Sequence, residues 1–401
     1  MTGKSLWVGL DVGADETTVC ATDDSGTVLY EVPVATKPAA LHAVLKGDKR
    51  RISLIGLESG SFAIVLYRSL LKLGYPLAMF EARQASKFLS IRKNKTDKND
   101  ARGLADIARL GRGSVSEVRV KAPECQRLRS TLVTRQKLVK TRTAIEANMR
   151  SLFRLYGGKL RSSHSAAALR KNVSDELRRL RKFEKIDLSE EIEPLLALST
   201  ATRAYIDNLD GKLSKQAEED PVCRRFLEIP GVGPITALAF YSAVDDPHRF
   251  HRNADIGAYF GLVPKVRQSG QSTTRAGITK SGDRLTRTYL TTAAQVHLRN
   301  AHSSLALWGI NLSERLSKRG VHVALARRLA VTMLAIWKSG GHYDPYHGVP
   351  ETPPSFLDEE LAPEGAAGWE TATTTEDAHV DPAMGSRSQP VGTQEAYAGD
   401  P

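Results

Sequence analysis

Ser5-Leu6-Trp7-Val8-Gly9-Leu10-Asp11-Val12 is a short apolar run that closes on an acid. Its length and bounding signals read as a buried strand. Two β-rich stretches follow, Thr17–Thr22 and Thr27–Val32, split by the turn signal Asp24-Ser25-Gly26. Run, turn and run predict three antiparallel strands. Lys37–Leu45 reads as a helix and Ile52–Leu57 as a fourth strand ending at Glu58. An apolar helix over Phe62–Leu73 is closed by Gly74, Pro76–Phe80 is a fifth strand, and helical pattern continues to about Leu110.

This order, βββαβαβα, is that of a ribonuclease H-like fold, a mixed sheet with helices on its faces. The expected class is α/β plus α, in four segments: an α/β domain over 1–115, a helical arm over 116–220, a mainly α-helical domain over 221–345 and a disordered acidic tail over 346–401. In the arm, glycine nearly vanishes between Gly158 and Gly211. Leu138, Ile145 and Leu152 recur every seven residues, with Met149 four after Ile145, and Leu198, Tyr205 and Leu209 make a weaker stripe. Such spacing predicts long amphipathic helices in an antiparallel coiled coil. The third segment opens with Ile229-Pro230-Gly231-Val232-Gly233 between two helical stretches, a helix-hairpin-helix pattern. Backbone N–H groups of Gly231 and Gly233 suit a DNA phosphate; an ordinary glycine-rich turn has the same composition.

The chain has 57 Lys+Arg and 45 Asp+Glu over 401 residues. From Glu351 onward there are 11 acids and one basic residue, Arg387, so residues 1–350 carry a net charge of +22. A body so basic calls for a polyanion, nucleic acid first. The run Arg170, Lys171, Arg178, Arg179, Arg181 and Lys182 is either a solvated helix face or a phosphate contact. Three scattered cysteines, with no Cys-x-x-Cys, argue against a thiolate zinc site or a disulfide framework and suit a reducing cytosol. No apolar run of membrane-span length and no signal-peptide core stand out, so a cytoplasmic protein with no membrane partner is expected.

Asp11 and Glu58 end two strands that are neighbours in a ribonuclease H-like sheet. Asp97 and Asp100, in Asn94-Lys95-Thr96-Asp97-Lys98-Asn99-Asp100-Ala101, share a face at a helix start. Four acids suit a pair of Mg²⁺ ions about 4 Å apart, which clamp both sides of a phosphodiester displacement. Each acid singly also fits a turn, a surface position or a helix cap. Further on, Ser269-Gly270 is surrounded in sequence by Arg267, Arg275, Lys280 and Arg284. These are ingredients for attack on phosphate, although Gln-Ser-Gly is far more often a plain turn and no histidine lies beside the serine in sequence. His248 and His251 lack a third metal ligand, and Tyr289 lies in an amphipathic run that suits core packing.

Together, Gly9-Leu10-Asp11-Val12-Gly13, Gly56-Leu57-Glu58-Ser59-Gly60, the 94–101 motif, Ile229–Ala237 and Phe260–Arg287 resemble the IS110 family of insertion-sequence transposases, bridge-RNA-guided DNA recombinases, over roughly residues 5–340. The resemblance implies a RuvC-like domain whose acid set is Asp11, Glu58, Asp97 and Asp100 with Mg²⁺, a coiled-coil arm, and a transposase domain whose nucleophile is Ser269. It further implies a 5′-phosphoserine intermediate, strand exchange through a Holliday-type junction, a structured noncoding guide RNA pairing with donor and target DNA, and dimers assembling to a homotetramer in which one protomer's serine is completed by another's acids. The bacterial cytosol and nucleoid are the implied location. The acidic tail is longer than the family pattern. A junction nuclease using the acids and water, an actin-like ATPase or sugar kinase opening on Leu10-Asp11-Val12-Gly13, and a non-catalytic RNA-binding protein are the competing readings.

Overall fold

The structure, a computed structural model, describes residues 5–47, 51–91, 94–111, 113–269, 272–299 and 302–346. The expected tail lies outside them. Two compact units emerge: residues 1–228 with 232–251 and 336–341, and residues 229–231 with 252–335 and 342–401. The protein is mixed α/β and mostly helical, with a five-stranded mixed sheet and 13 α-helices among the described residues.

The first unit begins with β1 (Ser5–Val12), β2 (Glu16–Thr22), β3 (Val28–Ala35), α1 (Pro38–Gly47), β4 (Arg51–Glu58), α2 (Ser61–Lys72), β5 (Leu77–Phe80), α3 (Ala82–Leu89) and α4 (Asp97–Leu110). Every expected strand is present. The spatial order is β3-β2-β1-β4-β5. β1, β2 and β3 pair antiparallel, and β1–β4 and β4–β5 pair parallel. The β2–β3 turn is held by Asp23, whose carboxylate accepts from the Ser25 and Thr27 N–H groups at 2.9 Å.

Period-two alternation sorts the sheet's two faces. Leu6, Val8, Leu10, Ile55, Leu57, Leu77 and Met79 face a core completed by Leu41 and Leu45 of α1 and Ala63, Leu66 and Leu70 of α2. On the opposite face, Trp7, Leu54, Ala78 and Phe80 pack with Ala85 of α3 and Leu104, Ile107 and Ala108 of α4. Gly9, Asp11, Gly56 and Glu58 alternate onto this second face.

The unit continues with α5 (Pro123–Leu155), α6 (Ala166–Phe183), α7 (Ser189–Glu219), α8 (Pro221–Leu227) and α9 (Pro234–Val244). Ile145 and Met149 are buried as expected, together with Phe153, against Leu169, Val173, Leu177 and Leu180 of α6 and Ile192 of α7. The α7 stripe is different from the expected one. Leu198 and Tyr205 are 52% and 67% exposed. The buried heptad is Ile192, Ser199, Ile206 and Leu213. A serine at one of its four positions hid this heptad from a search for apolar residues.

That serine belongs to a buried polar knot. Glu146 on α5 accepts from Ser199 Oγ at 3.2 Å and from the Arg203 guanidinium at 2.7 Å. Arg203 also donates to the Ser163 carbonyl at 3.0 Å. Glu146 and Arg203 are each only 6% exposed. A desolvated pair gains little over an apolar pair, but losing one partner strands the other. It also fixes which turn of α7 meets α5.

The second unit contains α10 (Asp255–Tyr259), a hairpin of β6 (Pro264–Ser269) and β7 (Ser272–Ile278), α11 (Arg284–Arg299) and α12 (Ser304–Leu312); α13 (Lys318–Ser339) runs from it into residues of the first. By length and composition α13 is apolar enough to cross a membrane. A buried core helix has the same length and composition. Val321, Leu325, Leu329, Met333 and Leu334 on this helix are buried, and so is Arg327.

Glu146→Ala is expected to cost the first unit about 3–5 kcal/mol in urea unfolding followed by helical circular dichroism. A loss below about 1 kcal/mol would mean the pair behaves as a surface ion pair.

Candidate active site

The same three-residue pattern, Gly-Leu-acid, ends β4 at Glu58 and reaches Asp11 one residue before the end of β1. The strands pair in register, Gly9 with Gly56 and Leu10 with Leu57. One step further, Asp11 and Glu58 stand side by side at the sheet edge. Glu58 is in turn level with Phe80 at the end of β5.

The helix that supplies the other two acids lies directly on these glycines. A Cβ on Gly9 would collide with the Ala101 carbonyl oxygen and the Ala105 nitrogen, both backbone atoms of α4, and would come within 2.9 Å of the Leu104 carbonyl carbon. A Cβ on Gly56 would come within 3.0 Å of the Leu104 carbonyl oxygen. Ala101, Leu104, Ala105 and Ala108 of α4 are buried against the sheet. Small side chains on both partners permit the approach.

Asp97 and Asp100 occupy the first turn of α4, where the helix dipole favours negative charge. The N-cap is Thr96, whose hydroxyl accepts from the Asn99 N–H at 3.2 Å, so Asp97 is not the cap. The Asn99 side chain donates back to the Asn94 carbonyl at 2.9 Å and ties down the preceding loop.

The four carboxylates feel one another. Burial, and then the charges of Asp100, Asp97 and Glu58, push the Asp11 carboxyl from 3.8 to about 6, against the pull of Lys95. Burial and Asp100 also raise Glu58, again opposed by Lys95 and reinforced by Glu81. Among the described residues no three carboxylate, imidazole or thiol groups stand close enough to grip an ion as they are placed. The fit to a cation is electrostatic: these acids sit in a field that their own negative charge makes unfavourable, and an added positive charge relieves it.

Two charged neighbours escaped the sequence reading. Glu81 follows the end of β5 and caps α3, accepting from the Gln84 N–H at 2.9 Å. Its signal was available, since a third strand also runs directly into an acid. Lys95 lies inside the quoted motif and is exposed.

The other expected site residues fall elsewhere. Ser269 ends β6 and pairs with Ser272 at the tip of the hairpin. Arg267 and Arg275 lie on the two strands. The side chains of these three, and Gly270 altogether, lie outside the described residues. Lys280 and Arg284 are exposed beyond the hairpin. Gly233 is the exposed N-cap of α9, with no side chain capping that helix. Gly231 has φ +87°, and a Cβ there would come within 2.6 Å of the Ala293 carbonyl oxygen on α11. His297 of α11 contacts the neighbouring Pro230 carbonyl at 2.7 Å. Packing against α11 therefore accounts for glycine at 231. His248 and His251 are exposed in a short 3₁₀ turn and the loop after it. Tyr289 is half-buried, and the three cysteines are buried and form no disulfide.

Comparison with known proteins gives the family. A DEDD transposase model of the IS110 family matches residues 8–157. A second, described as the IS116/IS110/IS902 transposase family, matches residues 223–307. The transposase for insertion sequence element IS1111A of Coxiella burnetii is 31% identical over 340 residues, covering 82% of this chain and 88% of the relative. The chain belongs to the IS110 family of transposases. A putative transposase of Sinorhizobium fredii is 26% identical over 82% of this chain and 84% of its own length. The transposase for insertion sequence element IS1328 of Yersinia enterocolitica is 24% identical over 69% and 81%. The protein is thus an enzyme of the transposase class, which cuts and rejoins DNA.

The raised Asp11 carboxyl fixes the sign of a stability effect. Its proton is held more tightly in the folded chain than in the unfolded one, so ionisation opposes folding. The penalty is absent below about pH 3.8, grows between there and about 6, and is complete above. Asp11→Asn should therefore raise the metal-free melting temperature at pH 7.5 by a few degrees, on the order of 2–4 °C, and leave it unchanged near the unfolded pKa of 3.8. Mg²⁺ should stabilise the wild type and not the variant in the same melts; the opposite sign at pH 7.5 would remove the repulsion argument.

Proposed function

We propose that this transposase is an RNA-guided DNA recombinase in which Ser269 is the nucleophile and Asp11, Glu58, Asp97 and Asp100 form a divalent-cation site, taken to be Mg²⁺. The observation that carries the reading is the convergence of two strand-end acids with the acidic first turn of α4. The strand order 3-2-1-4-5, with its antiparallel and parallel pairs, supports a ribonuclease H-like, RuvC-like reading of residues 1–115. The packed α5, α6 and α7 support a coiled-coil arm over 116–220. The α8–turn–α9 unit supports a helix-hairpin-helix within a transposase segment over 221–345, followed by an acidic tail over 346–401.

Cleavage in this scheme forms a bond from Ser269 Oγ to a DNA phosphorus as the bond to the 3′ oxygen breaks. The products are a 5′-phosphoserine and a free 3′ hydroxyl. The serine proton must leave and the 3′ oxygen must gain one. With a divalent cation bound, the Asp11 carboxyl would be held ionised as a ligand. A bound divalent cation would stabilise charge on the phosphoryl oxygens. Rejoining reverses the exchange with a different 3′ hydroxyl, through a Holliday-type junction.

Sequence choice would come from a structured noncoding RNA paired to donor and target DNA, while the protein grips backbone. The +22 charge of residues 1–350 favours such a polyanionic load. On α6, Arg178, Arg179 and Arg181 pair with Asp175, Glu176 and Asp187 at 3.3, 2.8 and 3.0 Å, whereas Arg170, Lys171 and Lys182 are exposed. These last three, with Lys280, Arg284 and the Gly233 turn, are our candidates for phosphate contact. Dimers assembling to a homotetramer would let one protomer's serine meet another's acids. The cytosol of a bacterium is the proposed setting.

The test mixes protein, Mg²⁺, RNA transcribed from the native locus, and labelled DNA carrying element ends and target. Denaturation should reveal a covalent protein–DNA adduct in wild type that is lost in Ser269→Ala and reduced by about 10²-fold or more in Asp11→Ala. Cleaved DNA with no adduct, unchanged in Ser269→Ala, would instead establish a nuclease that uses water.

A further inference from the structure

We infer that Arg287 is the positioning residue of the hairpin that carries Ser269: its guanidinium ties together the two turns from which β6 and β7 spring, and so sets where the serine can reach. This rests on the reading of Ser269 as the nucleophile.

The hairpin stem is a knot of two turns. One is Phe260-Gly261-Leu262, before β6; the other is Thr279-Lys280-Ser281-Gly282, after β7. They are joined by backbone: the Thr279 N–H donates to the Val263 carbonyl at 2.9 Å, and the Lys280 N–H to the Gly261 carbonyl at 3.2 Å. Neither turn has room to spare. A Cβ on Gly261 would collide with the Ser281 backbone and lie 2.8 Å from the Lys280 carbonyl carbon, and one on Gly282 would collide with the Tyr259 carbonyl oxygen. Gly261 and Gly282 have φ of +65° and +70°. Lys280, which has a side chain, is held at φ +55°. A lysine in the left-handed region persists only where its surroundings impose it.

Arg287 is what closes this knot. Its Nη1 donates to the Phe260 carbonyl and to the Ser281 carbonyl, both at 2.8 Å, one acceptor from each turn. The arginine is itself held by the start of α11. Asp283 caps that helix, accepting from the Leu285 N–H and the Thr286 hydroxyl at 2.8 Å. One α11 side chain therefore transmits the orientation of a rigid helix to both ends of the hairpin. Arg284 and Lys280 are exposed nearby; Arg287 is half-buried, with Nη1 committed to protein carbonyls.

The experiment compares Arg287→Ala, Arg287→Lys and wild type as full chains. It reads the rate of adduct formation, DNA affinity, and amide exchange resolved to Thr279 and Lys280. A displaced nucleophile should slow Arg287→Ala by about 10–100-fold in adduct formation, with DNA affinity changed by less than about 3-fold. The Thr279 and Lys280 amides should exchange at least about 10-fold faster, while amides of α13 keep their protection. Arg287→Lys, keeping a donor, should recover part of both. Unchanged exchange and unchanged rate in Arg287→Ala would overturn the role. A parallel fall in DNA affinity and rate would also overturn it, by making Arg287 a phosphate contact, and loss of α13 protection in both variants would make it a residue of the unit's general fold. Wild-type cleavage without an adduct would overturn the serine reading and with it the positioning of a nucleophile; amide exchange would still separately decide whether Arg287 locks the stem.

Discussion

The backbone of α4 lies on β1 so closely that residue 9 has no space for a side chain. Much of the site depends on this approach. Because Gly9 and Gly56 are paired across β1 and β4, they make a shallow floor on one face of the sheet. An α-helix with alanine and glycine on its inner surface can settle there. Once it does, the first turn of α4 is brought beside the ends of the two central strands. The acids at 97 and 100 thus join those at 11 and 58 through packing between elements that carry no charge at the point of contact. Gly103 of α4 is equally constrained from the other side, by the Leu89 side chain of α3.

Packing then confronts electrostatics. Burying Asp11 and Glu58, and then gathering acids around them, opposes folding, and their elevated carboxyls express that cost. Lys95 and the N-terminal dipole of α4 offset a part of it. Active sites commonly retain strain of this kind because the reaction uses it. Here the excess negative charge sits in a chain whose first 350 residues are strongly basic. Such a surface suits a polyanion, while a local acidic patch suits a cation.

The sheet was legible because its strands are short apolar or β-rich runs punctuated by Asp24-Ser25-Gly26 and Gly74. The placement of the four candidate acids was legible because each lies near the end of a strand or in the first turn of a helix. The glycines at 9 and 56 lie in the segments quoted around Asp11 and Glu58, yet their reason is tertiary: the backbone of α4 excludes a Cβ at 9, and the Phe80 ring with the Leu104 carbonyl oxygen excludes one at 56. The α7 stripe failed because its heptad includes a serine that answers a buried glutamate on another helix, so hydrophobicity pointed to the exposed Leu198 and Tyr205 instead. Arg287 had no local signal, since its partners are backbone carbonyls that sequence does not advertise.

The central claim is that the close seat of α4 builds one cation site from Asp11, Glu58, Asp97 and Asp100. Anomalous diffraction from crystals of the full chain soaked in Mn²⁺ tests it most directly. An anomalous peak is expected within ligand distance, about 2.0–2.3 Å, of oxygens from at least one strand-end acid and at least one α4 acid. A peak held by either pair alone, or by none of the four in crystals that bind Mn²⁺ elsewhere, would contradict it.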